Sequence, residues 1–395
     1  MIVNRNRRAT VGAIACATAL AATGTIALPA LAQGRKLKIG LMLPYTGTFA
    51  QLGEAITNGF KLHVAENGGK LGGLDVEYVT IDDESAPPKA VENMNRLVRR
   101  DNVDVVVGTV HSGVALAMAN VARQTNTTLI VPNAGADDIT GSLCAPNIFR
   151  TSFTNWQPGY GMGKVMVDRK VRNAVTLTWK YAAGEESVNG FKEAFTAGGG
   201  KIIKEMFLPF PNVEFQPFLT EIASLKPEAV FVFFAGAGAA KFVKDYMAAG
   251  LKNIPLYGSG FLTDGVAEAI GPVGQGLITV LHYGDGINNP KNVAFRTRYA
   301  STYKLQPDVY AVQGYDAAQL LAAGLAAVKG DLTKKAELHR AMTAAKIDSP
   351  RGPFTLSKAH NPVQDMYIRE LKGRDNNVIG IAVKALADPA RGCKA

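Results

Sequence analysis

The chain has 395 residues, 47% of them apolar, and a formal charge of +10. At about 150 residues per domain, that length leaves room for two or three domains with sizeable cores. The basic residues are spread through stretches such as KFVKDYMAAGLK, with no dense stripe and no basic–aromatic interleaving, which excludes nucleic acid as the expected partner.

The first element is a leader. Arg5, Arg7 and Arg8 form a positive start, residues 11–28 are apolar or small, and Ala30-Leu31-Ala32 is a small-x-small cleavage site. Residues 1–32 therefore read as a signal peptide cut after Ala32. Gln33 follows, not the cysteine of a lipoprotein, so the expected product is an unanchored periplasmic protein of charge +7 once the three leader arginines are set aside. No later stretch reaches the roughly 18–20 uncharged apolar residues of a transmembrane helix.

Beyond the leader, short β-branched runs alternate with longer amphipathic ones. KLKIGLMLP predicts a strand, LGEAITNGFKLHVAENGG a helix with a glycine stop, and LDVEYVTIDD the next strand. The pairs PPKAVENMNRLVRRD with VDVVVGTV, and GVALAMANVARQTN with TTLIVPNAG, repeat the unit. After NIFRTSFTNWQPGYGMGKVMVDR the rhythm restarts with NAVTLTW, EESVNGFKEAF, KIIKEMFLPF, FQPFLTEIASLKP and EAVFVFFAG. The alternation predicts an α/β protein of two doubly wound lobes with parallel sheets and a cleft between them. The later run VYAVQGYDAAQLLAAGLAAVKG is helical again, and DMYIRELKG with NVIGIAVKAL predicts a closing hairpin. The chain is thus expected to cross between lobes more than once.

Two strand ends of the first lobe carry the candidate chemistry. In GTVHSGVALAM, Ser112 stands beside His111, but Val110 and Val114 occupy the places where a nucleophile elbow, G-x-S-x-G, needs glycine. A base adjacent in sequence normally points elsewhere, so a hydrolase reading keeps little beyond the pair itself. The turn does offer a helix N-terminus, where the N–H groups around His111, Ser112 and Gly113 and the Ser112 hydroxyl can cradle a carboxylate. The bland reading makes Ser112 an N-cap with no ligand, worth about 1 kcal/mol. At the next strand end, Asn133, Ala134, Gly135 and Ala136 let backbone approach a ligand closely.

In the second lobe, Tyr181 and Ala183 follow one strand, Phe234 and Ala237 another, and Gly260 with Phe261 a third. The run after Phe234 is GxGxxK, not a dinucleotide fingerprint. His282 and Tyr283 end a further strand, where pocket, hinge and buried structural roles all remain open. The five histidines are scattered without cysteine partners, so neither a metal nor a cofactor is expected. Cys144 and Cys393 survive the leader, and an oxidising compartment permits a disulfide between them, although sequence cannot show that two such positions meet.

The strand ends quoted above, with YAAGEESVNGFKEAF and PLYGSGFLTD, resemble the periplasmic substrate-binding proteins of ABC importers, in their Leu/Ile/Val-binding group, over residues 36–386. The resemblance implies two Rossmann-like lobes joined by a hinge of three crossing segments, the type I periplasmic binding protein fold. It divides the chain into residues 36–155 with 284–362, and residues 156–283 with 363–395. It also implies a ligand carboxylate on Ser112. The ammonium contacts of the amino-acid branch, a Thr and a Glu, fall on Gly135 and Gly260, and two pocket tyrosines fall near Ala183 and Ala237. Glu185 and Glu186 are expected to start a helix and face solvent.

A carboxylate without an amine fits these changes, which resemble the aromatic-acid branch. Phe49, Tyr181, Phe234 and Tyr283 are then expected to contact a ring, with His111 or His282 meeting a ring hydroxyl. The expected partners are a small benzoate- or hydroxycinnamate-like acid and an inner-membrane ABC permease, with the protein a monomer and no enzyme. The alternatives are an amino-acid or amide binder of the same family, or a ligand sensor for a signalling partner.

Overall fold

The computed structural model describes residues 35–394, and the leader with its cleavage site lies outside the described residues. The β-branched runs become short strands covered on both faces, as a parallel sheet flanked by helices requires. Val105–Val107 and Thr128–Val131 are buried at every position. Among the described residues no helix is long and apolar enough to cross a membrane.

The first sheet takes β1 (Leu37–Leu43), β2 (Lys70–Leu71), β3 (Leu74–Asp82), β4 (Val105–Val107), β5 (Thr128–Val131) and β6 (Ile148–Arg150), in the order β2-β3-β1-β4-β5-β6. Its pairings are parallel apart from β2 with β3. Helices α1 (Ala50–Glu66), α2 (Pro87–Asn95) and α3 (Ser112–Thr125) connect these strands. The second sheet takes β7 (Asn173–Lys180), β8 (Lys201–Pro209), β9 (Ala229–Phe233), β10 (Leu256–Ser259), β11 (Ile278–Leu281), β12 (Thr355–Leu356), β13 (Pro362–Lys372) and β14 (Asp375–Leu386). Its order is β12-β13-β11-β10-β9-β7-β8, with β14 paired to β13. Strands β7 to β11 pair in parallel, and β12 to β14 add an antiparallel edge. Helices α4 (Trp156–Asp168), α5 (Ala182–Ala197), α6 (Gln216–Leu225), α7 (Gly236–Ala248) and the short α8 (Ala267–Ile270) belong with it.

Strand order reverses at β1 in the first sheet, which has β3 on one side and β4 on the other, and at β7 in the second, which lies between β8 and β9. A crevice opens beyond the carboxyl ends of the strands at such a switch point, because the following connections leave toward opposite faces. The turns after β1, β4, β7 and β9 are therefore the places to look for a site.

After β11 the chain returns to the first sheet as α9 (Pro290–Tyr303), α10 (Val309–Ala327) and α11 (Lys335–Thr343). Leu320 and Leu338 share a core with Leu37 and Ile39 of β1. Helices α1 and α10 touch through glycines: a Cβ on Gly59 would stand 1.9 Å from the Ala311 carbonyl oxygen, and one on Gly314 2.0 Å from that of Ile56. The chain thus passes between the sheets after β6, after β11 and before β12. Side chains sew these passages to backbone. Gln157 Nε2 donates to Leu386 O at 2.8 Å, Gln364 Nε2 to Ser152 O at 2.6 Å, and Arg351 Nη2 to Thr151 O at 2.7 Å.

The C-terminal tail makes a further passage. Thr140 Oγ1 donates to Asp388 Oδ2 at 2.8 Å, and Cys393 is bonded to Cys144 with their Cα atoms 5.5 Å apart. The oxidised pair joins the tail that follows β14 to the loop that precedes β6. Cys393→Ser is expected to lower stability by about 2–4 kcal/mol, since the unfolded chain regains the freedom the cross-link removes. Equal denaturant midpoints for variant and wild type would refute this.

Candidate ligand-binding site

The turn after β4 is organised by His111. Its backbone is extended (φ −75°, ψ 121°), and its Nδ1 caps α3 by accepting from Gly113 N at 3.1 Å and Val114 N at 3.4 Å. An accepting Nδ1 carries no proton, so the ring is neutral with its hydrogen on Nε2. Burial agrees, lowering the imidazole pKa to about 4. The ring stacks on Tyr181 of the other lobe with centroids 4.8 Å apart. The sequence-based expectation that the Gly113 N–H would face a ligand is corrected here, because His111 takes it.

Ser112 is left with a free proton. Its Oγ lies 3.2 Å from Asn155 Nδ2, which can only donate, so the hydroxyl accepts there and keeps its own hydrogen for another partner. Asn155 is fixed from several sides. The same Nδ2 donates to Glu186 Oε2 at 2.7 Å, and Asn155 N donates to Gly135 O at 2.7 Å. Below the turn lies Arg150, a fully buried cation, whose Nη1 donates to Ala136 O at 2.7 Å and Ala134 O at 3.4 Å while Nε donates to Asn361 Oδ1 at 2.7 Å.

Ser112 and Asn155, but not His111 or Arg150, line a cavity of about 20 Å³ between the facing strand ends. The cavity is far below the roughly 300–1,000 Å³ usual for ligand pockets, so the facing strand ends must part to admit anything larger than a water molecule or two. Its wall takes Phe49 and Leu52 from the start of α1, Val110 and Ser112 after β4, Asn133 and Gly135 after β5, and Phe153 and Asn155 after β6. The second lobe adds Tyr181 and Ala183 after β7, Phe233 and Ala235 at the end of β9, and Phe261 after β10, and Tyr310 enters from α10. Among the described residues the wall holds no Asp, Glu, Lys or Arg. The Tyr310 hydroxyl is buried without a hydrogen-bond partner, and burial keeps it protonated by raising its pKa well above the ordinary value.

Of the sequence-predicted residues, Phe49, Ser112, Asn133, Gly135, Tyr181, Ala183 and Phe261 stand on this wall. The structure places the others elsewhere. His111 and Gly113 form the cap just described, and Ala134 and Ala136 give their carbonyls to Arg150. Phe234 packs edge-on against Trp179 and Phe215, at 5.0 and 5.1 Å. Ala237 is exposed on the first turn of α7. Gly260 backs onto the second lobe's interior, where a Cβ would meet Arg369 Nη2 at 2.3 Å. Tyr283 donates to Asn292 Oδ1 at 2.9 Å, and His282 is buried against Phe153. Neither ring reaches the cavity.

The expectation for the acidic pair needs correction too. Glu185 is exposed, but Glu186, one residue on, turns inward, and its Oε2 accepts from Asp137 N at 3.0 Å as well as from Asn155. Burial first, and the neighbouring Asp137 second, push its carboxyl above the usual carboxylate range. Glu186 is not on the wall, because Asn155 stands between it and the cavity.

A family model described as periplasmic binding protein matches residues 36–376. The chain belongs to the periplasmic binding protein family. A relative of this binding protein is the Leu/Ile/Val-binding protein homolog 6 of Brucella melitensis, 29% identical over 350 residues that cover 86% of this chain and 88% of the relative. Among solved structures, an ABC transporter solute-binding protein from R. palustris in complex with benzoate is 57% identical. It superposes with a TM-score of 0.90 over 91% of this chain and 100% of that one. A solute-binding protein from Rhodopseudomonas palustris BisB5 in complex with 3,4-dihydroxybenzoic acid is 32% identical, with a TM-score of 0.85 over 90% and 99% of the two chains.

Sequence reasoning missed Leu52, Val110, Phe153, Asn155, Phe233, Ala235 and Tyr310 on the wall of this binding protein. One signal was available. Strand alternation groups Phe234 with Val230 and Val232 in one core cluster beneath α6 and α7, while Phe231 belongs to the opposite face. Phe233 shares the parity of Phe231 along the strand, although it packs in the cluster of Phe234, and it stands on the cavity wall where β9 ends.

Proposed function

We propose that this periplasmic binding protein captures a small aromatic carboxylate between its lobes and delivers it to an ABC permease in the inner membrane. One observation carries the reading: the cavity between the strand ends is walled by aromatic rings and offers hydroxyls and amides, but no carboxylate for an amine. The Ser112 hydroxyl and the Gly135 N–H, which meets no acceptor among the described residues, hold the ligand carboxylate. Phe49, Phe153, Tyr181, Phe233 and Phe261 surround the ring. An α-amino acid would bring an unpaired cation into the same dry space, at a cost of several kcal/mol. The R. palustris relatives that bind benzoate and 3,4-dihydroxybenzoic acid support the class.

The same reading makes the protein a monomeric receptor rather than an enzyme, since His111 spends Nδ1 on the helix cap and Ser112 has an amide beside it instead of a base. It is exported and released after Ala32. Residues 36–155 with 284–362 form one lobe, and residues 156–283 with 363–395 the other.

A thermal-shift panel tests the class. Benzoate, hydroxybenzoates and cinnamates are expected to raise the melting temperature, a ligand at 100 times its Kd adding about 2.7 kcal/mol. Leucine, isoleucine and valine are expected to add nothing, and a larger shift with leucine would overturn the assignment in favour of amino-acid binding. Ser112→Ala is expected to weaken benzoate binding by about 1.5–3 kcal/mol, the worth of a charge-assisted hydrogen bond. A calorimetric affinity equal to wild type would remove Ser112 from the site.

A further inference from the structure

We propose that the first lobe carries a second ligand site, for a small organic anion with two or more acidic groups, in the cavity between α11 and the loops that precede β6 and β13. The cavity measures about 460 Å³, which is within the range usual for ligand pockets. It opens at the amino ends of β5 and β6, with Asn126 just before the one and Cys144, Ala145 and Pro146 before the other. It therefore stands at the opposite end of the sheet from the cavity that faces the second lobe. The site is independent of the ligand class proposed above.

Its charge is one-sided. Lys335, Arg340 and Lys358 stand on the wall, and among the described residues no Asp or Glu joins them there. Lys335 Nζ donates to Asn126 O at 3.0 Å, whereas the exposed side chains of Arg340 and Lys358 make no hydrogen bond or ion pair among the described residues. Glu337, the one acid of α11, is exposed and stands off the wall. His339 is also on the wall but buried, only 6% exposed, with its Nε2 2.9 Å from Thr128 Oγ1. That hydroxyl meets no other partner among the described residues, so it can donate to Nε2 and leave the ring hydrogen on Nδ1. Nδ1 is itself without a partner among the described residues, and is then a donor for an anion. Burial, followed by Lys335 and His360, lowers the His339 pKa to about 4, as expected of a ring set among cations.

The walls are tied to one another by the protein itself. His360 joins the loop before β13 to α11 and to β6, its Nε2 2.8 Å from Thr343 Oγ1 and its Nδ1 donating to Ile148 O at 2.9 Å. Its ring stacks on Phe149 with centroids 4.2 Å apart. The disulfide to Cys393 holds the loop that carries Cys144. A cavity fixed in this way needs little ordering when it binds. Ala145, Pro146, Ala336 and Ala359 leave apolar wall between the cations, which gives room for a carbon skeleton that a bare sulfate or phosphate would not fill.

Titration of citrate and of glycerol 3-phosphate into the mature protein at about 0.15 M salt, followed by the ring signals of His339 in NMR, tests the site and separates a carboxylate source from a phosphate source. Saturation by at least one of them is expected, with a Kd below about 1 mM. The His339 pKa is expected to rise, because a bound anion favours the imidazolium. Arg340→Gln combined with Lys358→Gln changes two exposed side chains and is expected to weaken that binding at least about tenfold, with the thermal midpoint unchanged. A shift that never saturates, or that inorganic sulfate reproduces at equal ionic strength, would reduce the cavity to diffuse surface charge and overturn the site. So would a double variant that binds as tightly as wild type. Displacement of the anion by benzoate would put it between the lobes instead, and would overturn the second site while leaving the first standing.

Discussion

Arg150→Met is expected to destabilise the protein by about 3–5 kcal/mol, the usual cost of removing one member of a buried charged network. The guanidinium is fully buried, and its donors serve Ala136 O, Ala134 O, Asn361 Oδ1 and Thr140 Oγ1. Methionine fills much of the volume but donates nothing, and each acceptor left without a partner costs about 1–3 kcal/mol. Asp137, Asp388 and Glu186 also lose their shared cation. Because Ala134 and Ala136 flank Gly135, the turn that faces the ligand loses its support, and benzoate binding is expected to fail together with stability. Arg150→Lys keeps the charge, but one ammonium cannot span the fork of acceptors, so it is expected to fall between the two. Urea melts of the three proteins measure this, and a methionine variant with the wild-type midpoint would sink the argument.

The second large effect concerns Gly135, where the amino-acid branch resembled by this sequence carries threonine. Restoring it is expected to destroy the site instead of converting it. A Cβ at position 135 would stand 2.4 Å from Asn155 Oδ1 and 2.5 Å from Phe153 Cε2, both on the cavity wall. Over-packing of this kind costs about 1–3 kcal/mol, and here the displaced groups are the ones that hold Ser112 and the ring. Gly135→Thr is therefore expected to weaken benzoate binding by about ten- to a hundredfold, each tenfold being about 1.4 kcal/mol, with no gain of leucine binding. Calorimetry with both ligands decides it, and a variant that binds leucine would show that Phe153 and Asn155 yield more readily than their packing suggests.

The alternation of apolar runs made the two doubly wound sheets legible, because buried parallel strands and their crossover helices have distinct periods. Ser112, Gly135 and Tyr181 could be picked out for a similar reason, since each lies just beyond a strand end. Tyr310 could not. It arrives at the cavity from α10, far along the chain, and only the packing of α10 on α1 brings it there. Phe153 and Asn155 belong to a passage between lobes, where no periodicity says which side chain faces inward. His111 looked like a possible partner for Ser112, yet an imidazole one residue before a helix does better as its cap. Glu185 and Glu186 show the limit most plainly: two identical side chains in succession, one in water and one half-buried, are separated only by the rotation of a helix whose partner surface the sequence does not name.

The disulfide spans 249 residues of sequence, so most of the described chain lies inside one covalent ring. A protease that cuts any loop between Cys144 and Cys393 opens that ring without dividing the molecule. The exposed turns at Gly199 and Gly373, both in left-handed backbone that favours glycine, are inside it. A nicked receptor in the periplasm would thus run as a single species until reduced, with its two pieces held close enough to keep closing on ligand.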